Sequence, residues 1–221
     1  MTHVLEAFDL YRFYHAAEEE TLALRGVSLV LDAGETVAVV GPSGSGKSTL
    51  LACLSGLDEP DGGWVELLGH RLTRRSEPER AAQRATHLGI LRQSGNLFPQ
   101  FTVTENIRLA MRLARKVDPR RPETLLAAVG LTHRRDARPA QLSGGEIARA
   151  GLAVALASTP AILLADEPTG EVDAATEAEI TQLIAAYTAN GGAALLITHS
   201  AALARHADQI IHLQDGRITH E

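Results

Sequence analysis

The sequence predicts an α/β protein with an antiparallel β portion at its amino end, a mostly parallel core sheet and an inserted block of helices. Three observations carry that expectation. Strand-like runs rich in apolar and β-branched residues come first, at Val4 to Phe13 and Leu22 to Leu31. Later apolar strand candidates alternate with helical patterns, as the crossovers of a parallel sheet require. The stretch from Ser94 to Ala157 is mainly helical, with no convincing strand.

Taken in order, the first strands form a meander, and Asp32-Ala33-Gly34 supplies a turn before Thr36 to Val40. That short, Val-rich run bounded by glycines reads as a fully buried strand. A helix is expected over Lys47 to Leu57, stopped by Asp58-Glu59-Pro60-Asp61-Gly62-Gly63. Trp64 to Leu68 and His87 to Leu91 follow as strands. Helices are expected at Val103 to Lys116, Glu123 to Val129, Gly145 to Ala157 and Ala174 to Ala189. Ile162 to Ala165, Ala194 to Thr198 and Gln209 to Leu213 complete the strands. The expected organisation is one domain over 1–221, with 1–93 and 158–221 as core plus β portion and 94–157 as the helical insert.

With 221 residues, 45% of them hydrophobic, the chain can bury a sizeable core. Its 27 acidic against 21 basic residues argue against sequence-independent nucleic-acid binding, so no nucleic-acid partner is expected. A single cysteine excludes an internal disulfide and a cysteine-based zinc cluster, which fits a reducing compartment. The amino terminus lacks a basic start followed by an apolar core, so no secretory signal is expected. No run of about 20 apolar residues exists, so no direct membrane insertion is expected. Any membrane role would come through a partner.

Gly41-Pro42-Ser43-Gly44-Ser45-Gly46-Lys47-Ser48 lies between the buried strand and the first helix, with the GxxxxGK[ST] spacing of a phosphate cradle. Glycines let successive N–H groups curl toward phosphate oxygens, and the following helix adds the positive end of its dipole. Lys47 can reach the β- and γ-phosphates, and Ser48 can place its hydroxyl on Mg²⁺. Downstream, the apolar run Ala161 to Ala165 ends in Asp166 and Glu167. A buried strand that stops at adjacent carboxylates suits a cation site, with Asp166 holding Mg²⁺ through water. Glu167 would then orient and deprotonate the attacking water. Cys53 reads as a small core residue, and the remaining histidines form no coherent ligand set. Arg74-Arg75 and Arg134-Arg135 read as solvated loop charges.

With Leu142-Ser143-Gly144-Gly145-Glu146 added between Gln93 and Asp166, the chain resembles the ATP-binding subunit of ABC (ATP-binding cassette) transporters over essentially its whole length. The resemblance implies an ABC cassette of the P-loop NTPase class that binds and hydrolyses ATP with Mg²⁺. It puts Gln93 at the Q-loop position, touching Mg²⁺ or water and facing the transmembrane partner. Ser143, Gly144 and Gly145 match the signature that contacts the γ-phosphate held by the opposite subunit. Glu171-Val172-Asp173 occupies the D-loop position, with Asp173 near nucleotide, and His199 matches the switch histidine. Tyr14 sits where the family stacks an aromatic on adenine, with Phe13 as the competing choice, and Thr49 extends the nucleotide contacts beyond Ser48.

Ser43-Gly44-Ser45-Gly46-Lys47-Ser48-Thr49-Leu50-Leu51 followed by Gly56-Leu57-Asp58, Phe101-Thr102-Val103-Thr104-Glu105-Asn106-Ile107 and Ala165-Asp166-Glu167-Pro168-Thr169-Gly170 are similar to the macrolide-efflux and lipoprotein-release branch. The implied function is an ATPase subunit that pairs, as a homodimer or with another ABC subunit, around two ATP·Mg²⁺. It would drive a transmembrane permease subunit from the cytoplasmic face of the membrane, in export or extraction. The alternative within the same branch is an ATP-dependent switch of a cell-wall or cell-division complex. The signature departs from the family pattern at Ala148, where glutamine is usual, and at Val154, where arginine is usual. Those losses are expected to remove a polar contact near the partner's nucleotide and a link between the signature helix and the sheet.

Overall fold

The computed structural model describes residues 3–16, 19–170 and 172–219; Glu171 of the D-loop lies outside them. Two sheets and a set of helices share two apolar cores. β1 (His3–Ala16) and β2 (Glu19–Asp32) form a long antiparallel hairpin. β3 (Thr36–Val40) leaves that sheet, and α1 (Lys47–Leu54) follows it. β4 (Gly62–Leu67) then returns to pair with β1, followed by β5 (His70–Arg71). The early strands are therefore not a consecutive meander; the antiparallel sheet has the order β2-β1-β4-β5. The reason lies in β3: Thr36 to Val39 are buried on both faces, which suits a central parallel strand and not a one-faced sheet.

The second sheet is built from β6 (Leu88–Leu91), β7 (Ile162–Asp166), β8 (Ala193–Ile197), β9 (Gln209–Gln214) and β10 (Arg217–Thr219) around β3. Its order is β10-β9-β3-β8-β7-β6, parallel throughout except for the antiparallel β9–β10 edge. Successive residues of a strand point to opposite faces, and the two cores divide accordingly. Leu164, Leu195 and Ile197 face a core shared with α1 and the antiparallel sheet, which includes Leu5, Leu10, Leu24 and Leu54. Leu163, Ala165, Ala194 and Leu196 face the other core, formed with the helical elements.

Those elements are α3 (Val103–Leu113), α4 (Arg121–Ala128), α5 (Gly144–Ala155) and, beyond the insert, α6 (Ala174–Ala189). Between 94 and 157 there is no strand, only these helices and two single turns at Thr132–Arg134 and Pro139–Gln141. α5 is integral to the sheet's packing, since Leu152 and Ala153 share one core with Leu163 and Ala165.

Two helices stop earlier than their periodicity suggests, for the same local reason. After α1, Gly56 adopts φ +64 and Leu57 N–H returns to Ala52 O at 2.9 Å. After α3, Arg115 adopts φ +56 and Lys116 N–H returns to Met111 O at 3.0 Å. Such left-handed caps satisfy the last carbonyls and turn the chain away. A helix absent from the sequence expectation, α2 (Glu77–His87), claims His87 from the next strand. It buries no residue and is held by the Ser76–Glu79 capping box and by Arg80 and Arg84 pairing with Glu77. Cys53 is fully buried, and burial pushes its thiol up to about 12, as fits a core residue. The last helix, α7 (Ala201–Ala204), is one turn.

Leu195, fully buried mid-strand in β8, tests the two-core reading. Leu195→Ala is expected to lower unfolding free energy by about 2–5 kcal/mol in urea titration while leaving the far-ultraviolet spectrum unchanged.

Candidate active site

The register of the parallel strands builds the site. Val39 pairs with Ile197, and Ile197 pairs with Asp166, so β3, β8 and β7 end level with one another. The loops that follow all open on the carboxyl edge of the sheet, where parallel α/β sheets place their ligands. They wall an open cleft of about 1000 Å³.

The phosphate loop is wedged beneath two other strands. A Cβ on Gly46, at φ +103, would meet Ala23 O at 2.4 Å, and one on Gly41 would meet Leu213 O at 2.0 Å. Gly46 starts α1 with no side-chain cap, which leaves the helix's first N–H groups available to an anion. Ser43, Gly44, Gly46, Lys47, Ser48 and Thr49 line the cleft. Gly41, Pro42 and Ser45 are not among the lining residues. Lys47 Nζ donates to Gly41 O at 2.8 Å and Pro42 O at 2.9 Å. Burial lowers the Lys47 pKa, while Glu167 and Asp166 act to raise it. Ser45 O accepts from Gly216 N at 3.0 Å, and Gly216 O accepts from Arg25 N at 2.8 Å, so the β9–β10 turn braces the loop.

Across the cleft, Ser48 Oγ donates to Asp166 Oδ2 at 3.3 Å. The next residue, Glu167, has φ +49, a left-handed conformation that costs a non-glycine residue on the order of 1–3 kcal/mol. Its N–H donates to Ile197 O at 2.9 Å, and its Oε2 accepts from His199 N at 3.2 Å. Glu167 Oε1 is buried without a hydrogen bond and faces His199 Nε2 at 3.4 Å. Gln93, just past β6, also lines the cleft. Ser48 and Asp166, in contact with each other, and Gln93 on the same cleft wall supply oxygens of the kind that hold Mg²⁺ together with phosphates and water.

Tyr14 lines the cleft and Phe13 does not. The hairpin register pairs Phe13 with Leu22 and Tyr14 with Thr21, and neighbours on a strand face opposite ways. Tyr14 Oη donates to Asp58 Oδ2 at 2.8 Å, and the Arg12 guanidinium lies 4.8 Å from the ring centroid. Burial, with the Asp58 contact, raises the phenol's pKa.

Ser143, Gly144 and Gly145 do not line this cleft. They open α5, where Ser143 Oγ accepts from Glu146 N and Glu146 Oε2 accepts from Ser143 N at 2.8 Å. Arg134 is not a free loop charge: its Nε pairs with Glu146 Oε1 at 2.8 Å. The Ser143 N–H and then Arg134 pull the Glu146 carboxyl down to about 2. Asp173 likewise stands outside the cleft lining and caps α6, its Oδ1 accepting from Thr176 N at 2.8 Å, which lowers its pKa. Ala148 and Val154 pack against the helical core. α5 is joined to α6 by Arg149 pairing with Glu179 and by the close approach of Gly145 to Thr176.

The cleft contains residues that sequence reasoning did not assign: Thr169, Glu177, Ser200, Asp215 and Gly216. Asp215-Gly216 carried a turn signal in its composition. Glu177 and Ser200 carried none, because their partners lie in other segments.

A strand, phosphate loop and helix, with paired carboxylates and a histidine on the neighbouring strand ends, define a P-loop ATPase. The sequence profile described as "ABC transporter" matches residues 24–170, and the chain belongs to that family. The lipoprotein-releasing system ATP-binding protein LolD of Acinetobacter baylyi is 42% identical over 218 residues, which cover 96% of this chain and 96% of the relative. The macrolide export ATP-binding/permease protein MacB of Chlorobium phaeobacteroides is 40% identical over 99% of this chain, which spans 34% of that longer protein. An ATP-binding cassette solved as a dimer in a post-hydrolysis state with ADP and Pi shares the fold. It has a TM-score of 0.92 and 32% identity, covering 98% of this chain and 97% of that one. The chain is thus an ATP-binding cassette and an ATPase. No helix among the described residues is long and apolar enough to cross a membrane.

Glu146 gives a pH test. Its carboxyl titrates near 2 in the fold against about 4.5 unfolded, so its contribution is complete above about 4.5 and is lost as pH falls toward 2. The melting temperature of Glu146→Gln should therefore fall less steeply across that window than the parent's.

Proposed function

We propose that the chain is the ATP-hydrolysing subunit of a membrane export or extraction complex, acting in pairs around two ATP·Mg²⁺. One observation carries the pairing: the cleft gathers phosphate loop, carboxylates, Gln93 and His199, while Ser143 to Gly145 lie outside it. A helix start bearing a serine and two glycines is a second anion site, and a second copy would bring it to the γ-phosphate. The similar cassette solved as a dimer and the relatives named for lipoprotein release and macrolide export support this reading.

In the proposed reaction Tyr14 stacks on adenine, and Lys47 exchanges its two loop carbonyls for phosphate oxygens. The loop from Gly41 to Thr49 and the start of α1 hold the phosphates through N–H groups. Ser48, Asp166 and Gln93 would hold Mg²⁺, which supplies charge neutralisation on the phosphate oxygens. Glu167 Oε1, buried and without a hydrogen bond, takes the proton of the attacking water, and His199 faces the same oxygen. Asp173 acts indirectly, by fixing the start of α6 beside the signature. Residues 94–157 and Gln93 pass closure and reopening to a permease on the cytoplasmic side of the membrane.

Glu167→Gln should abolish steady-state hydrolysis while accumulating an ATP-bound dimer on size-exclusion chromatography; normal turnover would remove Glu167 from this role. Lys47→Ala should weaken binding of a fluorescent ATP analogue at least about tenfold, the range expected for losing a charge-assisted phosphate contact. Unchanged affinity would contradict the cradle.

A further inference from the structure

Glu177, in the first turn of α6, lines the cleft but belongs to neither the phosphate loop nor the carboxylate pair. Its Oε1 collects hydroxyl donors from two separate loops. Thr169 Oγ1 donates at 3.3 Å from the segment that follows β7, and Ser200 Oγ donates at 2.5 Å from the segment that follows β8. Thr169 is buried and stands two residues after Glu167; Ser200 stands directly after His199. Ser200 is itself well fixed, its N–H donating to Thr198 Oγ1 at 2.9 Å and its Oγ accepting from Leu203 N at 3.2 Å. Hydrogen bonds to an ionised acceptor are roughly twice as strong as neutral ones, so a half-buried carboxylate with two such donors resists displacement.

We propose that Glu177 is a positioning residue for ATP hydrolysis. By accepting from Thr169 and Ser200 it ties the loop that carries Glu167 to the loop that carries His199. The carboxylate and the imidazole are then held toward the same reacting water. The proposal rests on the roles given above to Glu167 and His199. The backbone already joins the two strands, through Glu167 N–H to Ile197 O. That bond fixes where the loops begin, whereas Glu177 fixes them beyond the reacting residues. Small misplacements of such groups carry large rate penalties.

The test uses the full chain and separates a rate effect from a stability effect. Glu177→Ala should lower kcat about tenfold or more, with KM for ATP and fluorescent-nucleotide affinity within about twofold of the parent. Glu177→Gln, which keeps an acceptor oxygen, should restore kcat to within about threefold. Ser200→Ala should reproduce most of the loss, and the double variant Glu177→Ala/Ser200→Ala should be no worse than about twofold below the poorer single, as expected of residues acting through one contact. Turnover of Glu177→Ala within about twofold of the parent overturns the proposal. So does a Gln variant as slow as the Ala variant, which would point to charge and not to the acceptor, or a kcat loss matched by an equal rise in KM. If Glu177→Ala does not fold, an unchanged kcat in Ser200→Ala overturns it instead. Glu167→Gln is measured alongside. If that variant still turns over, the reading of the site itself has failed; if it is inactive while Glu177→Ala is normal, only the role of Glu177 has failed.

Discussion

The level endings of three parallel strands are the constraint on which the rest of the molecule depends. Val39, Ile197 and Asp166 share one register line, so a loop that needs glycine, a loop that needs carboxylates and a loop that needs histidine emerge side by side. A slip of one residue in β7 would turn Asp166 to the opposite face and carry each apolar residue of the strand into the wrong core. Register is held so firmly because the sheet is buried on both faces. Ile162 and Leu164 on one face cannot trade places with Leu163 and Ala165 on the other without leaving a void in one core and overfilling the other.

Around this frame several helices are also fixed at their starts by their own side chains. Ser76, Thr102 and Ser143 each form a capping box with a glutamate three residues on, and Asp173 caps α6 alone. At α5 the box has a second consequence. The residues that would meet a partner's phosphate are the same ones that begin the helix, and Glu146 is clamped there by Arg134. α5 is in turn bound to α6 by Arg149 and Glu179 and by the close seat of Gly145 on Thr176. In the pairing proposed above, a rotation of the signature would be passed to the helix that follows the carboxylates, because α5 and α6 are joined within one chain.

Much of this was legible because the signals are local. The phosphate loop, the apolar run into Asp166 and Glu167, and most strand positions follow from adjacent residues and their period. Helix α2 went unanticipated because it buries no residue and offers no apolar run, and the Ser76–Glu79 capping-box spacing was the local sign of it. The early helix ends at Gly56 and Arg115 depend on a single residue entering left-handed space, which a glycine hints at and an arginine does not. The strand order 2-1-4-5 was hidden because pairing of β4 with β1 is a long-range event. Arg134 and Glu177 were illegible for the same reason: Arg134 acts through a partner 12 residues away, and Glu177 through partners 8 and 23 residues away. Tyr14 was separable from Phe13 only once the hairpin register said which ring faces the cleft.

Lys47 offers a last consequence. Its ammonium is held by the carbonyls of Gly41 and Pro42, residues of the loop it will serve, and the loop is braced from outside by the β9–β10 turn. Nucleotide then meets a loop whose conformational entropy has already been surrendered during folding. Arrival of a triphosphate swaps acceptors on one lysine and fills waiting N–H groups, and no segment has to order itself first. Association should accordingly be governed by diffusion and charge, and a slow, temperature-sensitive step would fall to the pairing of chains proposed above.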